Sequence, residues 1–185
     1  MQSERQKWNE KYRNKAFSKD PAPIVKKYAG LAPEGRALDI AAGSGRNSIF
    51  LAQKGFSVDA LDVSDVALKK IAGRHPNVRP VCIDMDTFDI PAGKYSLIVN
   101  IRFLSRRLFP YIQEGLIPGG ILIFETYLDG PVAAPDGPTC RDYLLRENEL
   151  LHAFLALKVL FYEERRHRRH GETRHLASLV ARRPA

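Results

Sequence analysis

The chain has little cysteine, little tryptophan and no long apolar run, and each shortage excludes a class of protein. Its 185 residues include two cysteines and one tryptophan. Cys82 and Cys140 give neither a disulfide framework nor the paired spacing of a metal site. A reducing, cytoplasmic setting is therefore expected, and Cys82, within Val81-Cys82-Ile83, is expected to be a small buried hydrophobe. No stretch nears the roughly 20 apolar residues of a membrane span. The opening Met1-Gln2-Ser3-Glu4-Arg5-Gln6 is polar where a signal peptide has its apolar core. Acid is also short: 21 Asp and Glu against 29 Lys and Arg leave a net charge of +8. No repeat or linker divides the sequence, so residues 1–185 read as a single domain.

What is present is concentrated in one place. Ala37-Leu38-Asp39-Ile40 is apolar but for one acid, as in a strand covered on both faces. It runs into Ala41-Ala42-Gly43-Ser44-Gly45, and a helix opens near Gly45 and ends at Gly55. Val58 to Asp62 is the next strand, with Asp62 at its tip. That arrangement fits an adenosine-containing cofactor lying across the carboxyl ends of a parallel sheet. Gly43 and Gly45 let a ligand approach the backbone, and Asp62 can accept hydrogen bonds from both ribose hydroxyls. Two details point away from a dinucleotide. Arg46-Asn47-Ser48 places a third small residue poorly for a pyrophosphate, and Asp39 stands four positions before Gly43. An acid there can orient the loop, or reach a cationic methionine moiety through water.

This is the pattern Asp-x-Gly-x-Gly-x-Gly with Ala41 in place of the first glycine, and it resembles class I S-adenosylmethionine-dependent methyltransferases. The alanine fits if its φ is negative. Gly45-Arg46-Asn47-Ser48, Leu51-Ala52, Gly55, Val58-Asp59-Ala60-Leu61-Asp62 and Trp8-Asn9-Glu10-Lys11-Tyr12 are similar to the tellurite-resistance-type branch of small methyltransferases. The resemblance implies S-adenosylmethionine as cofactor; it does not imply tellurite as substrate. It implies cofactor contacts from Asp39, Ala41, Gly43, Gly45, Asp62 and Val63. It also implies that the N-terminal helical segment, residues 1–30, covers the cofactor through Trp8 and Tyr12, which share a helical face.

The remaining elements alternate, which predicts a doubly wound, Rossmann-like three-layer α/β sandwich. Its sheet is seven-stranded and mostly parallel, with a C-terminal antiparallel hairpin. Helices are expected over Trp8–Phe17, Ile24–Tyr28, from Ser64 through Ile71, over Leu104–Leu116 and over Leu145–Phe154. Strands are expected over Val78–Ile83, Tyr95–Asn100, Ile121–Glu125, Leu157–Glu163 and His175–Ala181.

Strand ends in such sheets face the ligand crevice. At the end of the third strand Asp84 can accept from the adenine amine while Met85 packs on the ring; the plainer reading of Asp84 and Asp86 is a cap on the next turn. Asn100 falls beside the methionine part. Arg102 and Arg106, spaced for one helical face, and Tyr127 are candidate contacts for an anionic acceptor; Arg102, Arg106 and Arg107 have a second reading as solvated helix-end charges. The Pro-rich loop from Asp129 to Thr139 is expected to arch over the site as a lid. Glu125, Tyr127 and His152 form no recognisable catalytic pair.

The acceptor is read as a small molecule. A rival reading is an RNA methyltransferase that tracks phosphates with the basic block Arg165-Arg166-His167-Arg168-Arg169. That block holds no aromatics for stacking, and its arginines are expected at or beyond the far edge of the sheet, away from the transferable methyl. A third reading is a module that binds S-adenosylmethionine without turnover.

Overall fold

A computed structural model describes residues 2–130, 138, 140–169 and 172–185. Thirteen elements follow one another: α1 (Gln2–Asn14), α2 (Pro23–Tyr28), β1 (Arg36–Ile40), α3 (Arg46–Gln53), β2 (Ser57–Asp62), α4 (Asp65–Lys69), β3 (Val78–Cys82), β4 (Tyr95–Ile101), α5 (Leu108–Gly115), β5 (Leu116–Tyr127), α6 (Glu149–Ala153), β6 (Lys158–Arg169) and β7 (Glu172–Arg182). The sheet order is β3-β2-β1-β4-β5-β7-β6. Strands β1 to β5 pair in parallel, and β7 pairs antiparallel with both β5 and β6. This is the expected doubly wound sheet with its closing hairpin.

Alternation along each strand divides the core between two layers. Ala37, Val99 and Ile123 face the side that packs Val25 and Leu51 of α2 and α3. Leu38, Ile98, Leu122 and Phe124 face the other side, against Ile112 of α5 and Leu150 of α6. There Phe109, Phe124 and Phe154 pack with centroids 5.3 to 6.0 Å apart. Among the described residues no helix is long and apolar enough to cross a membrane.

The structure departs from the sequence reading in several places. Helix α5 begins at Leu108, not Leu104. Pro110 sits in its first turn, where its missing N–H costs nothing; in a longer helix its ring would strike the carbonyl four residues back. Helix α6 begins at Glu149 because Leu145 is taken up in a bridge to Leu128. Strands β6 and β7 extend through most of the charged stretch expected as a linker, since backbone pairing continues from Arg165↔Leu176 to Arg169↔Glu172. Cys82 is exposed, not buried, because β3 is an edge strand; its sulfur accepts a hydrogen bond from Arg5 at 3.3 Å. Of the expected lid, residues 131–137 and 139 lie outside the described residues, with Pro131 and Pro135 among them.

Candidate functional site

The parallel strands end together at one edge of the sheet, and the candidate site is built on their tips. From β1 the chain turns through Ala41, Gly43 and Gly45, with φ of 53°, 58° and 78°. The Ala42 N–H donates to the Leu61 carbonyl at 2.8 Å, which keeps the loop against β2. Both glycines are required by close approach. A Cβ on Gly43 would lie 2.3 Å from the Tyr12 hydroxyl, and one on Gly45 would lie 2.6 Å from Cγ1 of Ile71.

Ala41 overturns the expectation of a negative φ. It holds a left-handed conformation that costs a non-glycine residue about 1–2 kcal/mol. Glycine removes that strain but adds freedom to the unfolded chain, an offset of roughly 0.5–1 kcal/mol. Ala41→Gly is therefore expected to raise unfolding stability by about 0.5 kcal/mol. Urea titration would show a higher midpoint at unchanged slope; a lower midpoint would contradict the strain.

Asp62 stands at the tip of β2, buried, and locks the loop. Its Oδ2 accepts from the Gly43 N–H and its Oδ1 from the Ser64 N–H, each at 2.8 Å. Burial raises its pKa, opposed by these backbone N–H groups. Each oxygen keeps one further acceptor position, so the carboxylate can still take two donors. Ser64 in turn caps α4 by accepting from the Ala67 N–H at 3.1 Å.

Asp39 faces the other way, into the layer beneath α3. It accepts from the Ser48 hydroxyl at 2.6 Å and so ties the strand to the helix that follows the loop. The first of its two expected roles, orienting the loop, is the one its partner supplies. Burial pushes its pKa up to about 6. A carboxyl whose pKa is higher in the folded state than in the unfolded favours folding most when protonated. Its contribution is full below about pH 4 and is lost as pH rises through about 6. Relative to Asp39→Asn, which keeps an acceptor for Ser48, the wild type is expected to lose about 2 kcal/mol of stability between pH 4 and pH 7. Denaturation of both proteins across that range checks this; a constant difference would refute it.

Helix α1 lies over the Asp62 side of the site. Arg5 Nε donates to the Val63 carbonyl at 3.2 Å. Asn9 accepts from Ser64 Oγ at 2.6 Å and donates to Asp65 at 2.8 Å. Tyr12 is buried with its hydroxyl on Gly43, and burial and the charge of Asp62 raise its pKa. Trp8 is half-buried, 6.1 Å from the Tyr12 ring.

The neighbouring tips carry quieter residues. Asp84 accepts from the Asp86 N–H at 2.9 Å, the turn cap of its plainer reading. Met85 is buried, and its carbonyl accepts from Arg107 at 2.9 Å. Asn100 is buried and donates to the Phe103 carbonyl at 2.7 Å, closing the turn after β4.

The acceptor candidates separate. Arg106 does not share a helical face with Arg102, because Arg102 occupies a bend with φ of 64° before α5 begins. Arg106 is spent on structure: it grips Glu149 with Nε at 2.5 Å and Nη2 at 3.0 Å, and donates to the carbonyls of Asp142 and Leu144. Arg107 likewise holds the β3–β4 connection through Asp89 and the Met85 and Phe88 carbonyls. Arg102 remains at the edge. Its guanidinium lies 3.3 Å from Glu125 and 5.1 Å above the buried Tyr127 ring.

Glu125 is the residue the sequence undervalued. It is buried in β5, accepts from Ser178 at 3.0 Å, and lies 3.8 Å from Arg165 as well as beside Arg102. Arg165 is thereby drawn to the site, against the expectation that the hairpin arginines stand clear of it. It also pairs with Glu163 at 3.3 Å. The side chains of Arg168 and Arg169 lie outside the described residues. Since β1 lies between β2 and β4, Asp62 and Arg102 stand about 10 Å apart across the edge by strand spacing. His152 is exposed on α6 and joins none of this.

Residues 37–120 match the family model of a methyltransferase domain, which includes the loop, Asp62 and Arg102 but stops short of Glu125 and Tyr127. A putative methyltransferase of Bacillus subtilis, YqeM, is 29% identical over 57% of this chain and 47% of its own length, so the matched part spans about half of that relative. TehB from Haemophilus influenzae, a tellurite-resistance methyltransferase, superposes with a TM-score of 0.72 at 21% identity, over 97% of this chain and 66% of its own. A SAM-dependent methyltransferase from Methanosarcina mazei superposes at 0.66 and 18% identity, over 89% and 99%. The [4+2]-cyclase SpnF superposes at 0.70 and 18%, over 88% and 79%, so the fold also carries other chemistry. Residues 37–120 thus match a methyltransferase domain, and the fold is the one seen in S-adenosylmethionine-dependent methyltransferases of known structure.

Proposed function

We propose that this chain transfers a methyl group from S-adenosylmethionine to a small-molecule acceptor. The observation that carries the reading is Asp62: a buried carboxylate, fixed by two backbone N–H groups at the foot of the glycine loop, with an acceptor position left on each oxygen for the ribose hydroxyls. The cofactor, when bound, supplies a methyl already activated on a sulfonium.

The protein's part is then to hold and to exclude. Asp62 and Val63 take the ribose end, and Asp84 and Met85 border the adenine. Ala41, Gly43 and Gly45 turn the loop backbone beside the methionine part, with Asn100 on the next strand. Trp8 and Tyr12 of α1 close over it and keep water out. Arg102, backed by Glu125 and Tyr127, faces the acceptor. Glu125 and Glu163 balance Arg102 and Arg165, so an anionic acceptor is held by the directed hydrogen bonds of the Arg102 guanidinium and not by surplus charge. Aligning such an acceptor with the methyl supplies most of the rate by positioning alone.

Methyl-labelled S-adenosylmethionine, offered to the purified chain with a panel of small carboxylates, phosphates and thiols and with total RNA, tests this. Label is expected in a small anionic product, with S-adenosylhomocysteine formed in equal amount. Label in RNA alone would overturn the small-molecule reading. Label nowhere, with the cofactor bound, would make the chain a binding module or a catalyst of another reaction.

A further inference from the structure

The positive charge of the chain is distributed unevenly, and its unmatched part has a shape. Most cations on the sheet edges and the α5–α6 side are paired: Arg79 with Asp59, Arg106 with Glu149, Arg107 with Asp89, Arg165 with Glu125 and Glu163. On the α2–α4 side they are not. A groove of about 480 Å³ runs along α3 and is lined by Lys19, Arg46, Lys70 and Arg74, with Phe17 and Phe50 in its walls. A second groove, of about 330 Å³, is lined by Lys26, Lys27 and Lys54, and Phe50 borders this one too. Across both grooves the lining holds seven cations and one carboxylate, Glu34. Among the described residues none of the seven forms an ion pair, whereas the neighbouring Lys69 does.

We propose that these two grooves form one track that docks single-stranded nucleic acid by its phosphate backbone. Concave walls lined by cations concentrate an anionic chain and release its counterions. Phe50 at the junction and Phe17 in the wall are half-buried, and aromatic faces give bases a place to stack without sequence preference. The basic hairpin lacks such rings, and its Arg165 is committed to carboxylates. A lipid surface fits less well, because the cations line hollows and do not surround a protruding apolar face. The track runs along α3 and reaches Ser44 of the glycine loop, and neither groove is lined by Arg102 or Tyr127. It therefore localises the protein on nucleic acid whatever the methyl acceptor is.

Fluorescence anisotropy of a labelled oligouridine, followed over a salt series from about 50 to 200 mM, tests the proposal. Two variants of equal charge are compared with the wild type. One carries Lys26→Gln, Lys54→Gln and Arg74→Gln in the track; the other carries Arg141→Gln, Arg146→Gln and Lys158→Gln outside it. All six side chains are exposed, so both variants are expected to fold. The track variant is expected to bind about tenfold more weakly or worse, with a salt slope shallower by about 2, at roughly 0.7 per lost phosphate contact. The control variant is expected to keep the wild-type slope. Equal losses in both would reduce the effect to net charge and overturn the proposal. So would a wild type that ignores the oligonucleotide but binds anionic vesicles through the same three residues.

Discussion

Replacing Asp62 by alanine is expected to weaken the binding of S-adenosylmethionine by roughly 30- to 150-fold, the equivalent of the 2–3 kcal/mol carried by a charged hydrogen-bonding group. The same change frees the N–H groups of Gly43 and Ser64, which Asp62 now holds at 2.8 Å. Leaving buried donors without acceptors costs about 1–3 kcal/mol each, so a lower melting temperature is expected as well. Asp62→Asn separates the two effects. Asparagine keeps one acceptor oxygen, enough to hold one of the two N–H groups, but turns an amide toward the other. It should retain more stability than alanine and still bind the cofactor poorly. Calorimetry with S-adenosylmethionine and S-adenosylhomocysteine, at a temperature where all three proteins are folded, decides the matter. Undiminished affinity in either variant would remove Asp62 from the cofactor site.

The second large effect is expected at Glu125. Its carboxylate is 5% exposed, and it stands between Arg102, Arg165 and Ser178. Glu125→Ala leaves the Arg102 guanidinium, 24% exposed, without its counter-charge. Breaking one side of a buried pair costs about 3–5 kcal/mol. For a chain of this size that is a fall of about 10 °C in melting temperature. Glu125→Gln with Arg102→Met removes both charges and leaves no unpaired guanidinium of Arg102, while the amide oxygen still accepts from Ser178, so this double variant should recover much of the loss in stability. Methyl transfer should not recover, because the group proposed to face the acceptor is gone. A double variant with restored stability and wild-type turnover would show that Arg102 and Glu125 serve the fold alone.

How far the sequence was legible depended on how local the cause was. The glycine loop, Asp62 and the Ser64 cap follow from residues a few positions apart, and the structure holds them as expected. Ala41 was misjudged because an alanine's φ is set by the loop around it: the Ala42 bond to β2 and the turn at Gly43 force the positive value. The arginines after β4 were harder. Arg106 and Arg107 read as free charges because their partners, Glu149 and Asp89, lie 43 and 18 positions away. The start of α5 was legible in Pro110, whose ring forbids an earlier first turn. Glu125 and Arg165 meet only because β7 inserts between β5 and β6, a register that apolar patterning in the hairpin did not reveal. The family match spans the glycine loop, Asp62 and Arg102 and ends at residue 120, before Glu125 and Arg165.

We propose that an adenosine cofactor lies across the tips of β2 and β1 with its ribose on Asp62. The most direct measurement is a crystal structure of the chain with S-adenosylhomocysteine. Both ribose hydroxyls are expected within hydrogen-bonding reach of the Asp62 carboxylate, with the sulfur directed toward β4 and Tyr12 against the bound molecule. A ligand that lies elsewhere, or a ribose that leaves Asp62 bonded only to Gly43 and Ser64, would contradict the account.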